Sequence, residues 1–225
     1  MKRLYWCSKK TEEKIDSDQQ EESSSGKQFI FLNNNPGESA CSMSNNNIDV
    51  IENMIMFYGE INDQNAMMLN KIIRSLDKDL QIFKIKFGTE SPPIKLFINS
   101  NGGSIFSGLS IVDAILSSVT PVHTYIDGNA SSAATLVSIV GKKRFMFDNS
   151  FMLIHQLRGG MWGKFEDFKD EMENLEMFME KIKNIYAKYT KMNKKQITDF
   201  LKREKYFDAQ TCLELGLIDE IATHG

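Results

Sequence analysis

Ser131 and Ser132 lie in a stretch whose residue types suit nucleophilic chemistry. The stretch reads Gly-Asn-Ala-Ser-Ser-Ala-Ala-Thr over residues 128–135, between the apolar runs 121–126 and 136–140. It predicts a strand that breaks at a glycine and restarts as a helix of small residues. The first amides of a helix have no partner within it, and they can stabilise a developing oxyanion beside a serine. For this stretch alone, the alternative is a pair of helix-capping serines in a tightly packed turn.

His155 is the histidine best placed to activate such a serine. Of the three histidines, His123 lies inside a predicted strand and His224 stands next to the last residue. His155 and the segment Asn101–Gly103 each follow a predicted strand, and ligands of α/β folds gather where strands end. A serine becomes a good nucleophile when an imidazole takes its proton, and an acid must orient that imidazole. For His155 alone, the alternative is a half-buried histidine bonded to the backbone; the three features in this order favour a catalytic base.

The elements that must position these residues alternate between strands and helices. Apolar or alternating runs predict strands at Met54–Tyr58, Leu80–Phe87, Lys95–Asn99, Val122–Ile126, Lys143–Phe147, Phe151–Ile154 and Leu217–Ala222. Helical spacing predicts helices that begin at Asp63 as N-cap, near Ile105 and at the serine turn, and helices over 165–189, 194–201 and 208–215. Strands that alternate with helices across glycine turns predict an α/β protein with mostly parallel strands.

Composition and charge narrow the class of protein. The chain has 225 residues, 41% of them hydrophobic, which suffices for one buried core. A net charge of −3, with no basic patch beside stacking aromatics, argues against binding to nucleic acid. The cysteines Cys7, Cys41 and Cys212 lack metal-type spacing, and no apolar run fits a secretory signal or a membrane helix. We therefore expect a soluble cytoplasmic protein without a metal or cofactor.

The chain divides into a polar N-terminal tail, residues 1–47, and a globular domain, residues 48–225. Residues 8–28 are polar, charged and rich in Ser and Gln, a composition that cannot bury enough apolar surface to become ordered. The tail is therefore predicted to be flexible. Its apolar segment Gln28–Leu32 is either a docking strand for a partner or an extra strand added to the chain's own domain.

Four motifs in one order carry a family resemblance: Ile98–Gly103, Gly128–Ser132, Asn149–Gln156 and Leu215–Asp219. Together they resemble the proteolytic subunit of the Clp protease over residues 48–225, whereas the first 47 residues do not match. The resemblance implies an α/β, crotonase-like fold with repeated β-β-α units and a long handle helix, here over 165–189. It also implies a serine endopeptidase with a Ser-His-acid triad, acting in ATP-dependent protein degradation.

The resemblance assigns the nucleophile, the base and the oxyanion donors. In the family's Gly-x-Ala-x-Ser motif the last residue is the nucleophile, which places it on Ser132 and makes Ser131 a packing neighbour. The general base falls on His155. The oxyanion donors fall on the backbone amides of Gly103 and Ala133.

The acid of the triad is where this chain departs from the family. The family has an aspartate, and alignment on Tyr206–Ala209 places Glu204 at that position. Glutamate carries the same charge on a side chain one methylene longer, and triads with glutamate occur on other folds. Asp208 is the alternative acid, and it also fits the N-cap of the following helix.

The resemblance also implies partners. Family subunits form a homo-oligomer of two stacked heptameric rings, a tetradecamer whose chamber receives peptides or unfolded protein. An AAA+ unfoldase docks in hydrophobic pockets on the ring face, and this chain has no phosphate-binding loop of its own. Two aromatic pocket positions are kept as Phe97 and Phe145, whereas Lys95 and Ala222 differ, so docking is expected to be weakened or altered.

Three alternatives to an active Clp-type peptidase stay open. The first is a catalytically inactive ring subunit, for which the irregular acid is the only sign. The second is a crotonase-type acyl-CoA enzyme, which uses oxyanion amides with carboxylates and needs no Ser-His pair. The third is a related peptidase that processes viral capsid or signal-peptide substrates.

Overall fold

The computed structural model describes residues 47–160 and 162–223. The predicted N-terminal tail, apart from Asn47, and its apolar segment lie outside the described residues. The described residues form the strands β1 (Ile48–Ile51), β2 (Met54–Tyr58), β3 (Ile94–Ser100), β4 (Val122–Ser131), β5 (Lys143–Phe147), β6 (Phe151–Ile154), β7 (Lys205–Phe207) and β8 (Glu220–Ala222). They also form the helices α1 (Asp63–Phe87), α2 (Ile105–Ser117), α3 (Ala133–Ile139), α4 (Phe165–Tyr189), α5 (Lys194–Leu201) and α6 (Ala209–Leu215).

The strands of the described residues form one sheet. Its main path runs in the order β1-β2-β3-β4-β5-β8, in which β1 is antiparallel to β2 and the other neighbours are parallel. Strand β4 pairs with β5 along its first half and with β6 along its second half. Strand β7 pairs antiparallel with β6. The mostly parallel sheet that the alternation of elements predicts is therefore confirmed.

One face of the sheet holds the core. Alternate residues of β3, namely Ile94, Leu96 and Ile98, are fully buried, and α1 and α3 contact this strand. The other face carries half-buried aromatic rings, among which Phe97 and Tyr125 stack with centroids 4.7 Å apart. Since burial of apolar surface is the dominant favourable term in folding, the packing of the helices on this face stabilises the sheet.

The strand predicted at Leu80–Phe87 is wrong, because these residues form the last turns of α1. The side chain of Asn62, rather than Asp63, caps this helix and accepts a hydrogen bond from the Asn65 amide at 2.9 Å. No glycine or proline interrupts the helix until Gly88, which ends it with φ of 65°. A short alternating run fits a helix face as well as a strand. Because no glycine or proline breaks the helix before this run, the helix continues through it.

The predicted break of β4 at Gly128 is also wrong. Gly128 has φ of 98°, and its pairing with β3 shifts register there, yet the strand continues to Ser131. The bulge lets the last residues of β4 pair with β6 instead of β5. Strands β1 and β7 have no counterpart among the predictions, and β8 begins at Glu220 rather than Leu217, because strands of three or four residues carry little periodicity.

The Arg144 side chain connects β5 to two segments distant in sequence, the end of α4 and residues 216–219. Its guanidinium forms a bidentate pair with the Asp219 carboxylate, with Nε 2.9 Å from Oδ2. It also donates to the carbonyl oxygens of Gly216, at 2.8 Å, and of Tyr189 at the end of α4. The Arg144 side chain is 14% exposed, so its loss would leave two carbonyls without this donor, and Asp219 Oδ2 would keep only the backbone amide of residue 144, at 2.9 Å.

We expect Arg144→Ala to lower the free energy of unfolding by about 2–4 kcal/mol in denaturant titrations. The matched control is Lys143→Ala, whose partner Glu220 is at the exposed surface and whose loss is expected to leave the midpoint nearly unchanged. The hydrogen bond from Arg144 lowers the pKa of Asp219. This contribution is therefore full above the ordinary carboxyl pKa and is lost as the pH falls through the lowered value. Equal midpoints for the two variants would contradict this role of Arg144.

Candidate active site

Ser132 is held in an unusual backbone conformation between β4 and α3. Its φ and ψ are 56° and −125°, and its amide donates to the carbonyl oxygen of Leu153 on β6 at 2.9 Å. A positive φ at a residue with a side chain costs about 1–3 kcal/mol and persists only where the surrounding structure imposes it. The extended β4 and its pairing with β6 impose it here.

The two neighbouring serines have different surroundings. Ser131 is buried, and its hydroxyl donates to Oδ1 of Asn129 at 2.8 Å. Ser132 occupies the N-cap position of α3, but its side chain makes no capping hydrogen bond. The alternative of a helix-capping serine pair is therefore wrong. Ser132 is half-buried and faces a cavity instead.

That cavity brings together four of the residues singled out in the sequence: Gly103, Ser132, Ala133 and His155. They come from the ends of β3, β4 and β6, which run parallel and therefore end at the same edge of the sheet. The cavity wall is completed mainly by apolar side chains, Ile105, Leu136, Leu157, Ile182 and Tyr186.

The hydrogen bond of His155 defines the state of its ring. His155 directly follows β6, and its Nδ1 lies 2.6 Å from the carbonyl oxygen of Gln156. A carbonyl only accepts hydrogen bonds, so Nδ1 carries a proton. In the neutral imidazole Nε2 then holds the free lone pair and is the nitrogen that can accept a proton.

The loop after β3 packs directly against the serine turn. Gly102 and Gly103 have φ of 88° and 145°. A Cβ added at Gly102 would lie 2.5 Å from the Ser131 carbonyl oxygen and 2.7 Å from Ser132 Cβ. Within the part of the chain that the structure describes, neither the Gly103 amide nor the Ala133 amide donates a hydrogen bond. Both amides are thus available to an oxyanion at the cavity.

Glu204 is next to His155 along the strands, but its carboxylate binds another residue. The antiparallel register pairs Ile154 with Lys205, so the next positions outward are His155 and Glu204. The Glu204 carboxylate forms an ion pair with Arg158, and both side chains are more than half exposed. The alternative acid, Asp208, caps α6: its Oδ1 accepts from the Thr211 amide at 2.8 Å, and hydrogen bonds from Thr211 lower its pKa.

Tyr186 and Thr135 are parts of the site that the sequence analysis missed. Tyr186 of α4 lines the cavity and contacts the hydroxyl of Thr135 on α3. The heptad-like pattern of α4 could have indicated Tyr186, since it lies one turn after Ile182 on the inward face. No local signal identifies a hydroxyl pair 51 residues apart in sequence.

The described residues contain neither a cluster of metal-ligating side chains nor an apolar helix of membrane-spanning length. Within residues 47–160 and 162–223, no group of three or more His, Cys, Asp or Glu side chains could hold a metal ion. None of the helices in these ranges combines the length and apolar character needed to cross a membrane.

Comparisons with known proteins agree on one family. The Clp protease family profile matches residues 42–225. The ATP-dependent Clp protease proteolytic subunit 1 of Rhodopirellula baltica is 31% identical over 175 residues, which cover 76% of this chain and 73% of that protein. The structure of a point mutant of ClpP1 from Listeria monocytogenes has a TM-score of 0.67 and 24% identity, covering 77% of this chain and 92% of that one.

The described residues combine a mostly parallel α/β fold with a serine turn and a histidine that line one cavity. The chain belongs to the Clp protease family, and its fold is that of the Clp proteolytic subunit. The predicted resemblance and fold class are therefore confirmed.

Proposed function

We propose that this chain is a serine endopeptidase of the Clp type. The observation that carries the proposal is the placement of Ser132, in its imposed positive-φ turn, on the same cavity as His155. Ser132 Oγ attacks the carbonyl carbon of the scissile peptide, and its proton passes to Nε2 of His155. The amides of Gly103 and Ala133 stabilise the negative charge that develops on the substrate oxygen.

The second half of the reaction uses the same groups. The tetrahedral intermediate collapses to an acyl-enzyme on Ser132, and His155 gives its proton to the leaving amine. Water then attacks the ester, with His155 again taking the proton, and the second collapse restores the serine. Each proton that His155 accepts is returned, so the cycle needs no cofactor.

We propose that Glu204 is the acid that orients His155 during turnover. In the structure, the Gln156 carbonyl binds Nδ1 and Arg158 holds Glu204. An exposed ion pair is worth about 1 kcal/mol or less, so releasing the Glu204 carboxylate from Arg158 costs little, and the proposal requires a rotamer change that brings this carboxylate to His155. Neutralising the acid of a triad lowers kcat by about 10⁴-fold at most.

Glu204→Gln is therefore expected to lower kcat by about 10²–10⁴-fold. Arg158→Gln is expected to raise kcat by up to about fivefold, because Glu204 is released from a competing partner. Arg203→Gln, which removes the same charge from an exposed neighbour of Glu204, is the matched control and is expected to leave kcat unchanged. Hydrolysis of a fluorogenic peptide measures all three. A loss in Arg158→Gln as large as that in Glu204→Gln would contradict the proposed competition.

We further propose that the chain assembles into stacked rings and works with an AAA+ unfoldase. The handle helix α4 presents the exposed apolar side chains Phe165, Phe168 and Met172, as a surface that packs against another subunit would. On the outer sheet face, Tyr125 stacks between Phe97 and Phe145, which suits an apolar docking loop. Lys143 lies 4.7 Å from the Phe145 ring centroid and 2.8 Å from the Glu220 carboxylate, so it places an ion pair beside the ring.

The experiment that tests the proposed activity combines turnover with active-site labelling. The purified full chain is expected to hydrolyse a fluorogenic peptide and to form a fluorophosphonate adduct that peptide mapping assigns to Ser132. A catalytically inactive ring subunit is the second candidate, favoured by the Glu204–Arg158 pair. It would give neither turnover nor an adduct. Thioester hydrolysis of an acyl-CoA that survives Ser132→Ala would contradict the peptidase assignment.

A further inference from the structure

Two buried hydroxyls connect the handle helix to the serine turn. Thr135 Oγ1 lies 2.6 Å from the carbonyl oxygen of Ser132 and also contacts the phenol oxygen of Tyr186. Thr135 is fully buried and Tyr186 is 2% exposed, so neither hydroxyl exchanges these partners for bulk water. Such buried polar groups are costly unless satisfied, which makes the contacts a specific feature of the site.

The direction of the hydrogen bonds follows from the chemistry of the three oxygens. The Ser132 carbonyl oxygen can only accept, so the Thr135 hydroxyl donates to it. The single proton of Thr135 is then used, and the contact with Tyr186 requires the phenol to donate to Thr135. Burial raises the pKa of Tyr186, which favours the protonated phenol that this donation requires. The series of hydrogen bonds runs from Tyr186 through Thr135 to the carbonyl oxygen of Ser132.

The Ser132 carbonyl oxygen, where these hydrogen bonds end, belongs to the peptide group that bears the Ala133 amide. The Ser132 carbonyl oxygen accepts from the Thr135 hydroxyl and also from the Thr135 amide, at 3.0 Å. Hydrogen bonds to a carbonyl oxygen draw electron density toward it and leave the N–H of the same peptide group more positive. They also hold the plane of that peptide group fixed. The Ala133 amide thereby becomes a stronger and better oriented donor toward the cavity.

We propose that Thr135 and Tyr186 are positioning residues that orient and polarise the Ser132–Ala133 peptide group for oxyanion binding. This inference rests on the proposed peptidase function and adds two residues to it, one of them on the handle helix. Because the two hydroxyls act on a donor used in the transition state, their removal affects kcat and not the binding of substrate.

The test uses variants that keep side-chain shape and remove one hydroxyl. Thr135→Val and Tyr186→Phe are each expected to lower kcat for a fluorogenic peptide by about tenfold, with KM within about twofold, which is less than the loss of a whole oxyanion donor. Affinity for a peptide boronate, which forms a tetrahedral adduct, is expected to fall in parallel. Thr135→Ser, which keeps the hydroxyl, is expected to restore wild-type kcat. The double variant is expected to match Thr135→Val alone, since Tyr186 acts through Thr135.

Ser138→Ala is the matched control. It removes a buried hydroxyl of the same helix, one that donates to the Thr135 carbonyl oxygen at 2.9 Å and not to the serine turn. Its kcat is expected to be unchanged, and thermal unfolding of every variant identifies losses caused by misfolding. Unchanged kcat in Thr135→Val, additive losses in the double variant, or an equal loss in Ser138→Ala would overturn the inference while leaving the peptidase function intact. If the wild-type chain neither hydrolyses peptide nor is labelled, the proposed function fails and this inference with it.

Discussion

Ser132→Ala is expected to reduce peptide turnover by about 10⁴–10⁶-fold and to abolish labelling by a fluorophosphonate. The reason is that alanine removes the oxygen that must bond to the substrate carbonyl, and no other described group on the cavity is a hydroxyl nucleophile beside His155. The methyl side chain keeps the packing of the turn, so the variant is expected to fold. Tyr186 also lines the cavity, but its phenol is engaged with Thr135.

Ser131→Ala is the control for this substitution. Ser131 has the same chemistry and is the adjacent residue, but its hydroxyl is bonded to Asn129 and buried. Its loss is expected to change kcat by no more than about threefold and to cost about 1 kcal/mol of stability. If Ser131→Ala lost the activity and Ser132→Ala kept it, the nucleophile would be the other serine.

Gly102→Ala is expected to lower kcat by at least about 10²–10³-fold, the effect of losing an oxyanion donor. An added Cβ would lie 2.5 Å from the Ser131 carbonyl oxygen, which is too close for two such atoms, and would be in tight contact with the Ala133 amide nitrogen at 3.0 Å. The loop must therefore move away from the serine turn and take the Gly103 amide with it. Steady-state kinetics on a fluorogenic peptide, with the melting temperature of the same sample, measures the effect.

Gly88→Ala is the matched control for backbone strain. Gly88 also has a positive φ, 65°, but an added Cβ there meets no atom within 4 Å. It is therefore expected to lose about 1–2 kcal/mol of stability without loss of kcat. Equal activity losses in the two variants would show that strain in the chain, rather than the contact between Gly102 and the serine turn, limits catalysis.

Much of the fold could be predicted from local pattern. Strands β5 and β6 and helices α4 and α5 have the predicted bounds, because continuous apolar runs and regular helical spacing each fit one element type there. The pattern of apolar residues did not predict the right element where a helix and a strand fit equally well, as at the end of α1. It also failed where a bulge let β4 continue past Gly128. A bulge depends on which neighbour a strand pairs with, and that is a property of the whole sheet.

For the candidate site, the sequence could predict which residues lie together wherever their backbone positions alone bring them together. Ser132, His155 and Gly103 follow strands that end at one edge, so the topology brings them to one cavity whatever their rotamers. The contact made by Glu204 depends on its side-chain torsions and on the presence of Arg158, which no strand pattern encodes. The link from Tyr186 to Thr135 depends on how α4 packs on α3, and only coordinates reveal it.

The conformation of Ser132 has a consequence for how this sequence can change over time. Glycine adopts a positive φ without steric cost, so Ser132→Gly relieves an unfavourable torsion that every side chain at this position must accept. Selection for thermal robustness alone would therefore favour loss of the hydroxyl. At residue 132, selection for stability and selection for catalysis therefore act in opposite directions. A ring subunit that did not need its own catalytic serine could carry glycine at this position.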